Sequence, residues 1–197
     1  HGANVIIVAR DEASSNKVIE TAKSKFQVQG FFVPADLADG ESTEKAATSC
    51  LELAPQGIDI LVNNAGIALL NKLEALSVEQ WDTTMAVNLR APFIMAKCLV
   101  QDMISRKKNG KVINISSVAG NYGLQDHAAY CASKGGINML TKVMAVEWGR
   151  FNIQTNSVCP TVILTDMGQT VWGPKEKSEP MLAKIPMNRF GYPFEVA

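Results

Sequence analysis

Charge of one sign is missing from this chain. Its 197 residues carry 19 basic and 19 acidic side chains, so the formal net charge is zero, which removes the electrostatic case for a nucleic-acid or anionic-membrane partner. Long apolar runs are missing too: none approaches the roughly 20 residues that span a bilayer. Histidine is scarce, with only His1 and His127. Cys50, Cys98, Cys131 and Cys159 stand far apart with no C-x-x-C, so a zinc site is poorly supplied and no metal is expected. Four scattered thiols fit reduced cysteines in a reducing compartment, which gives a cytoplasmic expectation. No G-x-S-x-G is present, and His127 has no convincing acid partners, which excludes a serine-hydrolase reading. Asn114-Ile115-Ser116 matches the glycosylation acceptor pattern, but it lies in an apolar stretch expected as a buried strand, so the match is taken as accidental.

Hydrophobic residues make up 47% and charged residues 19% of the chain, enough to build a core and exclude disorder. Apolar runs alternate with amphipathic stretches. Strands are expected at 5–9, 30–33, 58–62, 112–115 and 153–158, and helices at 11–25, 42–53 (Ser42 as its cap), 78–106, 128–150 and 175–184. The segment from Thr165 to Pro193 is otherwise mixed. This alternation predicts an α/β, doubly wound parallel sheet covered on both faces, in one domain over 1–197.

In such sheets ligands collect beyond the carboxyl ends of the strands. The residues placed there are Arg10, Asp36, Asn63–Gly66, Ser116-Ser117 and Pro160–Thr165. Gly66 allows close backbone approach to a ligand, and Asn63 and Asn64 are suited to tying strand ends together. At the start of the second long helix stands Tyr130-Cys131-Ala132-Ser133-Lys134, whose Tyr and Lys share a helix face. A phenol near pKa 10 is a poor acid–base group at neutral pH, and a nearby ammonium is expected to lower it. Ser117, at a strand end, is placed to hold a carbonyl oxygen beside the tyrosine.

Asn63-Asn64-Ala65-Gly66, Asn88, Ser117 and Tyr130-x-x-x-Lys134 together resemble the short-chain dehydrogenase/reductase family over essentially the whole chain. The resemblance implies a Rossmann-type fold and an oxidoreductase using a nicotinamide cofactor. Tyr130 would donate or accept the proton, Ser117 would position the carbonyl, and Lys134 would bind the nicotinamide ribose and lower the tyrosine pKa. Asn88 would hold a water in a proton relay. Asp36 would accept from the adenine amino group with Leu37 beside the ring, although a turn or cap role for Asp36 competes. Asn64 and Gly66 would lie along the adenosine ribose, and Ile163 and Thr165 would meet the nicotinamide end. The two long helices would pair into a homodimer or homotetramer, with Phe93, Met95 and Leu99 as stripe residues that are otherwise simply core.

Arg10 ends the first strand, where an arginine can bind a 2′-phosphate, so NADP(H) is the expected cofactor. Asp11 either caps the following helix or opposes the phosphate. Cys159-Pro160-Thr161-Val162, Met167, Trp172 and Met181-Leu182 resemble the branch of the family that reduces L-xylulose and small α-dicarbonyls. That likeness implies a small-molecule carbonyl substrate held by Ser117, His127, Tyr130 and Trp172. Val118, beside Ser117, departs from the polar residue of that branch. The alternatives are reduction of another ketone such as a 3-oxoacyl thioester, or a non-catalytic truncated isoform. The family's G-x-x-x-G-x-G does not precede Val5. The expectation is therefore a domain truncated at both ends, lacking the glycine-rich strand–loop–helix and the final strand, with a gap in the sheet between 5–9 and 58–62.

Overall fold

The computed structural model describes residues 2–197. Five parallel strands alternate with helices. Strand β1 (Val5–Ala9) leads into helix α1 (Glu12–Phe26) and pairs in parallel with β2 (Gly30–Pro34) from Val5–Gly30 to Ala9–Pro34. Asp11 caps α1, its carboxylate accepting from the Ser14 amide at 2.8 Å, so its charge is engaged with the helix N-terminus. Helix α2 (Gly40–Leu53) follows β2. Ser42 is not its cap: Asp39 accepts from the Glu41 amide, while the Ser42 hydroxyl lies inside the first turn and accepts from the Asp36 amide at 3.0 Å. The shorter carboxylate, two residues ahead of Glu41, takes the orphan donor instead.

Strand β3 (Ile60–Asn63) pairs with β4 (Gly110–Ile115), and β4 with β5 (Ile153–Val158), all in parallel. The strand order is thus β2-β1 in one sheet and β3-β4-β5 in a second, and no ladder joins β1 to β3 among the described residues. Ile60 and Val62 of β3 are about half exposed, 49% and 51%, although their β-branched chemistry suits a covered strand.

Between β3 and β4 the expected single helix over 78–106 is three pieces. Helix α3 (Val78–Met85) opens with a Ser77–Gln80 capping box, a wide π turn spans Ala86–Arg90, and helix α4 (Ala91–Ser105) completes the run. One extra residue per turn at 86–90 lets a polar side chain, Asn88, turn inward without breaking the helix. Helix α5 (Ala128–Trp148) precedes β5, and the short helices α6 (Asp166–Trp172) and α7 (Lys175–Leu182) follow it. Helix α6 falls in the segment for which the sequence pattern specified no element.

The core lies where α2, α4 and α5 pack on the sheets, with Ala46, Ala47, Cys50, Met95, Leu99, Val100, Met103, Val112, Met144 and Ile153 as its centre. Each large apolar side chain buried there stabilises by about 1.5–3 kcal/mol relative to exposure. Met95 and Leu99 are therefore core residues, and of the three stripe positions only Phe93, 45% exposed, stays open on α4. No helix of the described residues is long and apolar enough to cross a membrane.

Candidate active site

Because β3, β4 and β5 are parallel and in register, Asn63, Ser116-Ser117 and Cys159-Pro160 emerge at one end of their sheet. Side chains knit that end together. Asn63 Nδ2 donates to Asn114 Oδ1 at 2.8 Å, and Asn114 Nδ2 donates to Thr141 Oγ1 of α5 at 2.9 Å. Asn63 thus links β3 to β4, while Asn64 is exposed. Past the strand ends, the Val118 amide donates to the Pro160 carbonyl at 3.0 Å.

Helix α5 starts beside this rim and presents Tyr130 and Lys134 one turn apart, with Lys134 Nζ 5.6 Å from the Tyr130 ring centroid. Lys134 is buried, and Nζ donates to the Ile115 carbonyl at 2.7 Å. Burial disfavours the ammonium and brings its pKa down from 10.5 to about 8. The Tyr130 phenol moves the other way from the sequence expectation. Burial, the largest influence, pushes it above 10; the Ser117 hydroxyl hydrogen bond pulls it down and Cys131 pushes it up, leaving a net rise. Desolvation of the phenolate outweighs any help from Lys134, whose ammonium is itself directed at a carbonyl.

Asn88 sits on the other side of Lys134 and is fully engaged. Its Oδ1 accepts from the Ile67 amide at 2.8 Å, and its Nδ2 donates to the Ile67 carbonyl at 2.9 Å and to Ser133 Oγ at 3.1 Å. Ser133 Oγ in turn donates to the Tyr130 carbonyl at 2.8 Å. A chain of bonds therefore runs from the loop after β3, through the π turn, to the first turn of α5. Ser133 was not among the residues expected at the site, though its place between Tyr130 and Lys134 was a usable signal. The side-chain amide of Asn88 is occupied by protein partners, so a water in a relay would have to be held by other atoms of this turn.

His127 stands at the N-cap position of α5, where its side chain makes no capping bond. Its Nδ1 lies 2.6 Å from the Gln125 carbonyl oxygen, and since a carbonyl only accepts, Nδ1 carries the proton and neutral His127 offers Nε2 as an acceptor. The ring stacks on Trp172 of α6 at 6.0 Å and 24°, and meets Tyr130 edge-on at 6.1 Å. The turn before it is pinned by Asn71, whose amide donates to the Asp126 carbonyl at 3.1 Å. An open cavity of about 470 Å³, lined by Lys72, Leu73, Glu74 and Leu124–Asp126, flanks this turn. His127 thus stands between Tyr130 and Trp172, in ring contact with each.

A second group lines the ends of β1 and β2. Arg10 is exposed and makes no ion pair among the described residues. Asp36 closes its own turn, Oδ1 accepting from the Ala38 amide at 2.9 Å, and Leu37 packs on the core. At Gly66 an added Cβ would stand 3.4 Å from Asn88 Oδ1 and 3.5 Å from Lys134 Nζ, so bare backbone there leaves a shallow cradle over the ammonium. Ile163 is bridged to Gly191, and Thr165 caps α6 by accepting from the Gly168 amide at 3.1 Å. The chemistry of these residues, an exposed cation at Arg10, bare backbone at Gly66 beside Lys134 Nζ, and the phenol of Tyr130, fits parts of a nicotinamide dinucleotide.

The fold and site define a class. The short chain dehydrogenase family model matches residues 1–176, and the chain belongs to that family of oxidoreductases, which use a nicotinamide cofactor. It is 44% identical over 162 residues to the NAD-dependent glycerol dehydrogenase of Listeria innocua, covering 82% of this chain and 63% of that protein. It is 38% identical over 189 residues to the L-xylulose reductase of Bos taurus, covering 96% of this chain and 73% of that protein. Among solved structures, a gluconate 5-dehydrogenase from Burkholderia cenocepacia in complex with NADP and tartrate superposes with a TM-score of 0.86 at 30% identity, covering 95% of this chain and 72% of that one. The chain thus spans 63% to 73% of the lengths of these proteins.

Proposed function

We propose that the protein is an NADP(H)-dependent carbonyl reductase acting on small polyhydroxylated ketones such as L-xylulose and on small α-dicarbonyls. The observation that carries this is the convergence on Tyr130 of Ser117, Lys134, His127 and, through His127, Trp172. A nicotinamide cofactor, when bound, would supply the hydride. The chain's own groups do the rest. Ser117 holds the carbonyl oxygen by its hydroxyl, and Tyr130 gives that oxygen its phenolic proton. Burial raises the phenol's pKa from its ordinary value, which favours the protonated form that reduction needs as its donor. Lys134 would hold the nicotinamide ribose, Asn64 and the backbone at Gly66 would lie along the adenosine ribose, and Ile163 and Thr165 would meet the nicotinamide end. Asn88 keeps the π turn and the loop at Ile67 together around Lys134 rather than touching the substrate.

His127 Nε2 accepts from a substrate hydroxyl, and Trp172 covers the apolar edge of the sugar chain. The names of the relatives support this polyol class: glycerol dehydrogenase, L-xylulose reductase and gluconate dehydrogenase. Arg10, an exposed cation at the end of β1, supports the phosphorylated cofactor, and the neighbouring Asp11 carboxylate caps α1 through the Ser14 amide. Asp36 and Leu37 bound the adenine end beside Asn64. The test is turnover of L-xylulose and diacetyl with NADPH and with NADH, with NADPH-dependent reduction of both expected.

A further inference from the structure

The segment expected at the nicotinamide end, Val162–Thr165, is not part of any strand or helix; it carries one internal bond, the Thr165 amide donating to the Ile163 carbonyl at 2.8 Å, and is otherwise held by its neighbours. Gly191 brackets it with two backbone bonds: its amide donates to the Val162 carbonyl at 3.0 Å, and its carbonyl accepts from the Leu164 amide at 2.8 Å. These bonds lie on either side of Ile163, which forms an isolated parallel bridge with Gly191. The approach is tight: a Cβ at Gly191 would stand 2.7 Å from Ile163 Cδ1.

Gly191 is itself held in a small closed turn. Arg189 donates to both carboxylate oxygens of Glu195, Nη1 to Oε2 at 2.9 Å and Nη2 to Oε1 at 2.6 Å. Glu195 Oε2 also accepts from the Tyr192 amide at 2.8 Å, and Arg189 Nη1 donates to the Phe190 carbonyl at 3.1 Å. One carboxylate and one guanidinium thus fasten the residues immediately before and after Gly191, and the fork-to-fork geometry fixes direction as well as distance. Among the described residues no hydrogen bond or ion pair joins the side chains of this turn to Tyr130 or Lys134, and its two charged side chains are part-exposed at 45% and 31%.

We propose that Arg189 and Glu195 are positioning residues that act through Gly191 to hold the Val162–Leu164 backbone in the conformation that receives the nicotinamide end of the cofactor, and with it the start of α6 that carries Trp172. The inference rests on the proposed cofactor site only for its second half; the mechanical half stands on the bonds themselves.

The test pairs amide hydrogen exchange with ligand affinity in wild-type protein, Glu195→Gln, Arg189→Met and the charge-exchanged double variant Arg189→Glu/Glu195→Arg. Glu195→Gln is isosteric and keeps an acceptor for Tyr192, so it guards against simple misfolding in Arg189→Met. Amides of Gly191 and Leu164 are expected to exchange about two- to fivefold faster in both single variants, the range for a part-exposed ion pair. The Ser116 and Val118 amides should stay at wild-type rates, and the double variant should recover part of the loss. The dissociation constant of NADPH is expected to rise by a similar factor, while that of 2′-phospho-ADP-ribose, which lacks the nicotinamide, is unchanged. Unaltered exchange at Gly191 and Leu164, or equal weakening of both ligands, overturns the inference. Wild-type protein that binds neither ligand contradicts the proposed function, and the exchange rates then decide the mechanical half separately.

Discussion

Asn88 and Ile67 exchange a reciprocal pair of hydrogen bonds, the side-chain amide of one closing on the backbone amide and carbonyl of the other at 2.8 and 2.9 Å. This pair joins the loop after β3 to the π turn between α3 and α4, and it is buried, with Asn88 only 2% exposed. Replacing Asn88 by Ala leaves two backbone groups without a partner and is expected to cost on the order of 2–4 kcal/mol of stability. Asn88→Asp should be at least as costly, because a carboxylate would face the Ile67 carbonyl. Urea unfolding midpoints check both, and a midpoint unchanged in Asn88→Ala would contradict the structural role.

Removal of the Tyr130 hydroxyl takes away the proton donor and leaves the ring that packs beside His127. Tyr130→Phe is expected to lower kcat by about 10²–10⁴-fold with little change in cofactor affinity or melting temperature. Ser117→Ala should also lower kcat. Near-normal turnover in Tyr130→Phe would remove the phenol from the chemistry.

The Lys134 ammonium sets a pH limit. Its pKa in the folded protein is about 8, against 10.5 ordinarily. If the ammonium holds the ribose, kcat/KM for reduction is level below pH 8 and falls above it. The sign for stability is opposite: between pH 8 and 10.5 the unfolded chain holds a proton on Lys134 that the folded chain has released, so this group makes stability rise with pH in that window. A Lys134→Met variant should lack that rise. A kcat/KM limb near pH 10 instead of 8 would contradict the buried-ammonium account.

His127 and Trp172 should divide substrates by their hydroxyls. His127→Phe keeps the stacking on Trp172 but loses Nε2, and is expected to raise KM for L-xylulose by about two- to tenfold, the worth of one hydrogen bond. KM for diacetyl, which has no hydroxyl, should hardly change. Trp172→Ala should raise both. Equal effects of His127→Phe on the two substrates would count against the hydroxyl contact.

Much of this was legible in the sequence. β1 and β5 fall where they were expected, and α1 lies within a residue of its expected range: β1 is a continuous Val/Ile run, β5 starts on Ile153 and ends on Val158 before Pro160, and Asp11 marks the helix start. The neighbourhood of Lys134 and His127 to Tyr130 was legible because the spacing of these residues at the start of a helix puts them on one side of it. Three things were not. The π turn at 86–90 is invisible to a helical period, since an extra residue merely shifts the phase of an apolar pattern that already surrounds Asn88. Helix α6 is seven residues long with Gly168 inside it, too short for periodicity and held in place by its Thr165 cap. The Arg189–Glu195 clamp joins two charges across a Gly-Tyr-Pro turn, where sequence shows only a polar surface and the backbone alone decides whether they meet.

Cofactor choice depends on a single strand-end charge. Arg10→Ala is expected to weaken NADPH binding by about tenfold, the low end for a charge-assisted bond, and to leave NADH nearly unaffected. Equal weakening of both would mean that Arg10 does not face a 2′-phosphate.

The most direct measurement is steady-state reduction of L-xylulose and diacetyl by the protein with NADPH and NADH side by side, repeated with Tyr130→Phe. NADPH-dependent turnover of both substrates, lost in the variant, is the predicted result. Absence of turnover with either cofactor, or turnover that survives the loss of the phenol, would contradict the account.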